Sequence, residues 1–402
     1  MKIALLTHHW VPNFGANLQA LATFSYLSKQ GHDVTVLNYV PEAVEQRYKT
    51  ICSAEQIVEH ERFCRQYFKL SPVLRNEGDL IAQCSSEDYD LVLCGSDAVF
   101  RLNKYGTTIE GAFPNPYWLT WINKLSGRKP KRAFISVSCT GSMYFSFPRP
   151  MKRGIADALA GVDHITVRDQ WTRWMLRHVS GATLNPNVTP DPVSVLNDVF
   201  EVPPEYNTPP AEPGSYIVFS MHPKRVSESW VSDFVTTCNK NGLQVLGLPF
   251  PEMEMPFSSL NGQIELPVSP LGWYQSIRNS VGFVGERFHP TVCSLFNLVP
   301  FVAVDHYRKR GVRNQMNWFN IPSTSKVYSV CSQAGAKDNC VHFPDLENFP
   351  GDQIFNRLRN WNRKAASEYV RSAKAVFSDT LDQITRTEAI DSEVRLERNS
   401  VS

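Results

Sequence analysis

The sequence KIALLTHHWVPNFGANLQALATFSYLSKQGHDVTVLNY, residues 2–39, identifies the type of fold. It opens with a short apolar run, passes through a polar loop and continues with apolar residues at helical spacing. Gly31 is predicted to stop this helix, and residues 34–39 form a second apolar run. Strand, helix and strand in this order predict a βαβ unit of a doubly wound parallel sheet.

The same alternation continues on both sides of a proline-rich segment. Residues 203–214 contain five prolines, a density that neither helices nor sheet interiors tolerate, and we interpret them as a linker. The sequence therefore predicts an α/β protein with two Rossmann-like lobes, residues 1–202 and 215–350, facing a central cleft. The strands predicted in the two lobes are residues 90–95, 133–137, 165–168, 216–219, 244–247, 281–284 and 300–304, and a helix is predicted at residues 227–240.

Residues 351–390 carry apolar side chains at steps of three to five, which predicts one long amphipathic helix packed on the lobes. Arg357, Arg359 and Arg363 lie on it, so contact with a membrane surface is the alternative. Residues 391–402 are a polar tail.

The composition excludes several classes of protein. Among 402 residues, 42% are hydrophobic, which argues against disorder, and 41 basic against 39 acidic residues leave no global field for nucleic acid. Nine cysteines show no metal-binding spacing and are expected to be reduced core thiols. The apolar run at residues 3–6 is shorter than a signal-peptide core or a membrane span. We expect a cytoplasmic protein, with the inner face of the membrane as a second location.

The loop after the first strand is the first candidate site. It lacks the G-x-G-x-x-G fingerprint, which argues against a nicotinamide or flavin cofactor. Amide side chains suit sugar hydroxyls, so His9, Asn13, Asn17 and Gln19 are candidates for binding an acceptor sugar. Alternatively, Asn17 only caps the following helix.

Two further candidates follow predicted strands of the first lobe. Asp97 could accept a proton from a bound hydroxyl or orient a sugar, or it could cap a helix. Arg168 could clamp a carboxylate or phosphate, or it could form an ion pair with Asp169 or with the other lobe.

The second lobe contains the most informative segment, Gly285-Glu-Arg287-Phe-His289-Pro290. Proline suits a first helical turn, so Arg287 and His289 are expected at a helix N-terminus, where partial positive charge attracts anions. Further on, residues 306–313 are rich in basic side chains and could form either a lid over a phosphate or a solvated loop.

Taken together, these segments resemble the polysaccharide pyruvyl transferase family. The resemblance covers residues 1 to about 320 and rests on the order and spacing of motifs. These are Asn13-Phe-Gly15-Ala-Asn17-Leu-Gln19, Asp90-Leu-Val-Leu-Cys-Gly95-Ser-Asp97, Ile165-Thr-Val-Arg168-Asp, Asp191-Pro192 and Arg287-Phe-His289.

The resemblance implies a GT-B-like fold and transfer of pyruvate from phosphoenolpyruvate to a saccharide acceptor as a ketal, with release of phosphate. The acceptor could be free, lipid-linked or nucleotide-linked. We expect His289 to be the general acid and base, since histidine titrates near neutral pH. Asp97 would orient or deprotonate the acceptor, and neither a metal nor a cofactor is expected. The expected ligands of phosphoenolpyruvate are Arg287, Arg168, Lys224 and Arg310.

Two other functions remain open at this stage. A nucleotide-sugar glycosyltransferase would share the two-lobed fold, because a fold does not determine the reaction. However, no Glu occurs from Arg287 through Asn339, where many retaining enzymes of this fold hold their donor. A noncatalytic sugar-binding subunit would bind sugar without His289 and would release no phosphate.

Overall fold

The computed structural model describes residues 1–103, 105–106, 108, 110–207, 209–306 and 324–386. Within these residues the strands form two parallel six-stranded sheets. The first sheet has the order β2-β1-β3-β4-β5-β6, with β1 (Lys2–Leu6), β2 (Asp33–Val36), β3 (Leu91–Asp97), β4 (Lys131–Val137), β5 (His164–Val167) and β6 (Asn187–Val188). The second has the order β12-β11-β10-β7-β8-β9, with β7 (Tyr216–Ser220), β8 (Gln244–Gly247), β9 (Gly262–Gln263), β10 (Gly282–Glu286), β11 (Phe301–Asp305) and β12 (Cys340–His342).

Helices connect these strands, and most of the longer ones begin at an Asn, Ser or Asp side chain that accepts a backbone N–H of the first turn. In the first lobe they are α1 (Phe14–Lys29), α2 (Glu42–Ile51), α3 (Ala54–Tyr67), α4 (Glu77–Glu87), α5 (Arg149–Leu159), α6 (Gln170–Val179) and α7 (Leu196–Val199). After it come α8 (Glu228–Lys240), α9 (Pro270–Arg278), α10 (Phe288–Phe296), α11 (Lys326–Gln333), α12 (Gly351–Arg359) and α13 (Arg363–Thr385).

The strand order determines where ligands can bind. In the first sheet β2 lies on one side of β1 and β3 on the other, so the order in which strands are added switches direction between β1 and β3. In the second sheet the same switch occurs between β7 and β10. In open parallel sheets the crevice at the carboxyl ends of such neighbouring strands is the usual binding site. The predicted fold class, two Rossmann-like α/β lobes, is confirmed.

The two lobes share one continuous apolar core. The Phe14 ring of α1 stacks on the Trp273 ring of α9 at 5.1 Å between centroids. Gln56 of α3 bonds twice to the backbone of Val268, donating to its oxygen at 2.9 Å and accepting from its nitrogen at 2.8 Å. These contacts fix one lobe against the other beside the cleft.

The C-terminal segment differs from its prediction as one long helix over residues 351–390. It forms two helices, α12 and α13, because Trp361 turns into the core and the Asn362 side chain caps α13 by accepting from the nitrogen of Ala365 at 3.0 Å. Helix α13 returns to the first lobe, where Tyr26 donates to Asp382 at 2.9 Å. Its apolar face is buried against the protein, which argues against the membrane-surface alternative.

Several predictions concern other parts of the chain. All nine cysteines are buried and none forms a disulfide, as expected for reduced core thiols. Within the described ranges, no helix combines the length and the apolarity that crossing a membrane requires. The polar tail at residues 391–402 and most of the basic run at 306–313, from residue 307 onward, lie outside the described residues.

Candidate functional site

A cavity of about 340 Å³ lies between the lobes, at the carboxyl ends of both sheets. The first lobe contributes His8, which follows β1, and Asp97, which is the last residue of β3. The second lobe contributes Arg287 and His289, which follow β10, together with Lys326 at the start of α11. The crevices of the two sheets therefore open into one shared site.

Three helices begin at this cavity. Asn13 caps α1 by accepting from the nitrogen of Ala16 at 3.2 Å, Arg287 precedes α10, and Lys326 is the first residue of α11. A helix N-terminus carries partial positive charge and free N–H groups, so three of them favour an anion in the space between.

Arg287 has an unusual backbone conformation. Its φ of 78° and ψ of 154° lie in a region that is almost exclusive to glycine, and a side chain there costs of order 1–3 kcal/mol. The guanidinium lies 3.6 Å from the centroid of the Phe250 ring and forms an ion pair with Glu252. The side chain is 41% exposed, so an incoming anion can reach it.

This strain predicts a difference between two variants that both lack the guanidinium. Arg287→Gly should be more stable to unfolding than Arg287→Ala by about 1 kcal/mol, because only glycine adopts this conformation freely. Denaturant titration of both proteins measures the difference. An alanine variant as stable as the glycine variant would show that position 287 is unstrained.

His289 packs against the first turn of α1. A Cβ placed on Gly15 would lie 1.8 Å from Cγ of His289, so the close approach of the lobes requires glycine here. Burial lowers the pKa of His289 to about 4, although Asp97 and Asp191 oppose the shift. No described residue forms a hydrogen bond with its Nε2, which lies 3.9 Å from Asp191. Near neutral pH the ring is therefore uncharged and able to accept a proton.

Arg168 and Asp97 belong to one buried ion cluster. Arg168 donates to Asp191 at 2.7 Å and to Asp97 at 3.1 Å, and its side chain is only 2% exposed. Asp169 instead caps α6 by accepting from the nitrogen of Thr172 at 2.8 Å. The guanidinium of Arg168 is thus occupied by two carboxylates, and the pairing with Asp169 that the sequence suggested does not form.

Asp97 is a poor proton acceptor in this cluster. Burial would raise its pKa, but the contact with His8 and the charge of Arg168 outweigh burial and hold the pKa well below its usual range. It ends β3 with a φ of 73° and caps no helix. Asp97 is suited to fixing charged neighbours and not to deprotonating an acceptor.

Three of the four loop residues predicted to bind a sugar are structural. His9 bonds to the backbone of Thr7 and to Asn38, both at 3.1 Å, and burial lowers its pKa to about 4. Gln19 donates to Thr7 at 2.9 Å and accepts from the nitrogen of Ser96 at 3.1 Å.

Asn17 is the third structural residue, whereas the fourth, Asn13, lines the cavity. Asn17 is fully buried, where it accepts from His60 at 2.8 Å and donates to the backbone of His9. The helix cap that the sequence analysis considered for Asn17 is instead provided by Asn13, one turn earlier.

Of the predicted ligands of phosphoenolpyruvate, one is placed away from the cavity and another cannot be located among the described residues. Lys224 is exposed on the loop after β7 and does not line the cavity, and Arg310 lies outside the described residues.

Other polar residues reach the cavity without having been predicted, among them His8, Arg47, Arg101, Glu110 and Lys326. Burial and the nearby charge of Arg168 lower the pKa of Lys326 to about 8, so the ammonium stays largely charged at neutral pH. Arg101 is exposed on the loop after β3 and also lines the cavity.

The structure resembles solved proteins of low sequence identity. One is a UDP-GlcNAc 2-epimerase from Neisseria meningitidis bound to UDP-GlcNAc, with 11% identity over 95% of this chain and 100% of that chain and a TM-score of 0.50. Another is the glycosyltransferase SnogD from Streptomyces nogalater, with 11% identity over 96% of this chain and 98% of that chain and a TM-score of 0.49. At this identity the likeness to the epimerase concerns the two-lobed fold alone.

No curated protein sequence matches the chain. A family model described as polysaccharide pyruvyl transferase, in contrast, matches residues 13–307. That range includes α1, the buried ion cluster and the Arg287–His289 segment, so the match covers most of the cavity as well as most of the 402 residues. The chain belongs to the polysaccharide pyruvyl transferase family and is a transferase.

Proposed function

We propose that this transferase moves pyruvate from phosphoenolpyruvate to two hydroxyls of a sugar, forming a ketal and releasing phosphate. Family membership supports the reaction type, and the observation that carries the donor is the convergence of cationic groups on one cavity. Phosphoenolpyruvate has a carboxylate and a phosphate only a few atoms apart. A small, strongly anionic donor needs such a site.

Arg287, Lys326 and Arg101 are the proposed ligands of the donor. All three line the cavity, and Arg287 and Lys326 each lie at the N-terminus of a helix. Arginine can bind a carboxylate or a phosphate with two parallel hydrogen bonds. When the donor enters, Arg287 exchanges its contact with Glu252 for one with the anion.

Arg168 has a different role from the donor clamp that the sequence suggested. Its terminal nitrogens bind Asp97 and Asp191, so we propose that it holds these two carboxylates in place behind the cavity.

His289 is proposed to accept the proton of the attacking sugar hydroxyl. It lines the cavity, its Nε2 forms no hydrogen bond within the described structure, and its low pKa leaves the ring neutral before substrates bind. Phe14 and Trp273 line the same cavity and form an apolar part of its wall.

The experiment incubates the protein with phosphoenolpyruvate and a panel of galactosides, glucosides and N-acetylhexosaminides. Release of phosphate together with an acceptor mass increased by pyruvate minus water is the expected result. His289→Ala should lower kcat by about 10²–10⁴-fold, and Arg287→Ala should mainly raise the KM for phosphoenolpyruvate. Full turnover by both variants would refute the assigned roles, and transfer from a nucleotide sugar alone would refute the donor.

A further inference from the structure

His8 is a second histidine in the cavity, on the lobe opposite His289. It follows β1 at the switch point of the first sheet, where its side chain is 14% exposed and lines the cavity. Its Nε2 forms no hydrogen bond with any described residue. This nitrogen is itself buried, and a buried polar nitrogen without a hydrogen bond is unfavourable unless a ligand supplies the partner.

Two carboxylates flank the His8 ring. Nδ1 lies 3.6 Å from Asp97, and Nε2 lies 3.8 Å from Glu110, which also accepts from Arg47 at 3.2 Å. The edge of the ring faces Tyr117, with 4.9 Å between centroids. His289, in contrast, has one carboxylate at 3.9 Å and none closer among the described residues.

The surroundings of the two histidines shift their pKa values in opposite directions. Burial alone would lower the pKa of His8, and the charge of Arg168 acts in the same direction. The contacts with Asp97 and Glu110 outweigh both and raise the pKa of His8 above its usual value. A pair of titrating groups with pKa values pushed apart is the usual basis for separate acid and base roles.

We propose that His8 is the proton donor of pyruvyl transfer and that it delivers its Nε2 proton to the methylene carbon of phosphoenolpyruvate. The inference rests on the proposed function and adds to it a catalytic residue from the opposite lobe.

With these roles, the protons and bonds balance over one turnover. In the first half, His8 protonates C3, the first sugar oxygen forms a bond to C2, and the hydroxyl proton passes to His289. In the second half, the bond between C2 and the phosphate oxygen breaks, and His289 gives its proton to the departing phosphate. The second sugar oxygen then bonds to C2, and its proton passes to His8. Both histidines return to their starting states, and one hydroxyl proton leaves with the phosphate while the other replaces the proton given to carbon.

The test compares His8→Gln and His8→Ala with the wild type. His178→Gln, a histidine substitution outside the cavity, serves as the matched control and should leave kcat unchanged. We expect kcat to fall by about 10²–10⁴-fold in both His8 variants, while thermal unfolding and binding of phosphoenolpyruvate, followed by calorimetry, remain close to the wild type.

Two readouts separate catalysis from a structural role. Added imidazole should restore activity to His8→Ala, because it can enter the space left by the side chain and donate the missing proton. The decline of kcat at high pH that comes from deprotonation of His8 should be absent in His8→Gln. Asp97, Glu110, Tyr117 and Arg168 all face His8 and stay unchanged in these variants.

The outcomes are distinct. If the wild type is active and His8→Gln keeps kcat within about threefold of it, or if imidazole restores nothing to His8→Ala, His8 is not the proton donor. If the wild type forms no ketal with any acceptor, the proposed function itself fails.

Discussion

Replacing Arg168 with methionine is expected to destabilise the folded protein by about 3–5 kcal/mol, the usual range for removing one partner of a buried ion pair. Asp97 and Asp191 are 6% and 3% exposed, and both rely on this guanidinium. Without it, two carboxylates are left close together in an apolar setting. A loss of this size is a large fraction of the stability of a typical protein.

The effect should also depend on pH. Without Arg168 the pKa of Asp97 is depressed less than in the wild type, so the stability that the variant lacks relative to the wild type should be largest near neutral pH and should shrink as the pH falls and Asp97 is protonated. Urea unfolding at pH 4 and pH 7 measures this. Arg65→Met is the matched control, because Arg65 pairs with Glu61 on the exposed surface and should cost no more than about 0.5 kcal/mol. Equal effects of the two substitutions would contradict the buried cluster.

Acidification is expected to destabilise the protein steeply between about pH 6 and pH 4.5. Burial lowers the pKa of His9 and His289 to about 4 and that of His60 to about 3. In the unfolded chain histidine titrates near 6.5, so the unfolded state binds more protons across this range. The stability that these three histidines contribute is therefore fully present above about pH 6.5. It is lost as the pH falls towards their pKa values in the folded protein. Each histidine contributes about 1.4 kcal/mol per pH unit.

His60→Gln tests this prediction. A glutamine can still donate to Asn17, which His60 contacts at 2.8 Å, but it cannot titrate. We expect the slope of unfolding free energy against pH to fall by about 1.4 kcal/mol per unit between pH 4.5 and 6. The difference in unfolding free energy between wild type and variant at pH 8 reports packing alone and is the internal control. Parallel curves for wild type and variant would show that His60 titrates normally in the folded state.

Much of the fold could be predicted from apolar runs and turn residues. The strand predicted at residues 244–247 has the observed bounds. The run at residues 34–39 predicted a longer strand than Asp33–Val36, since Leu37 and Tyr39 are buried without continuing the strand. The two-residue strands β6 and β9 are too short to show any periodicity.

The candidate site was predicted only in part. Asn13, Asp97, Arg287 and His289 do line the cavity, because residues after parallel strands converge at the carboxyl edge. The sequence alone, however, does not show which of the neighbours His8 and His9 faces the cavity. Only the path of the loop shows that His9 turns inward to Asn38.

Lys326 and Arg168 show two further limits of predicting the site from the sequence. Lysine in a first helical turn opposes the helix dipole, and this mismatch was a signal that could have identified Lys326 as a functional residue. The partners of Arg168 lie 71 and 23 residues away, at the ends of other chain segments, so the spacing along the sequence could not reveal them.

Carbon NMR of a reaction with phosphoenolpyruvate labelled at C2 can observe ketal formation itself. In deuterated water with a sugar acceptor, we predict that the labelled carbon becomes a ketal carbon bonded to two sugar oxygens, beside a methyl group that carries one deuterium. Phosphate should appear in equal amount. Labelled phosphoenolpyruvate that stays intact with every acceptor, while the same preparation transfers sugar from a nucleotide donor, would contradict the account.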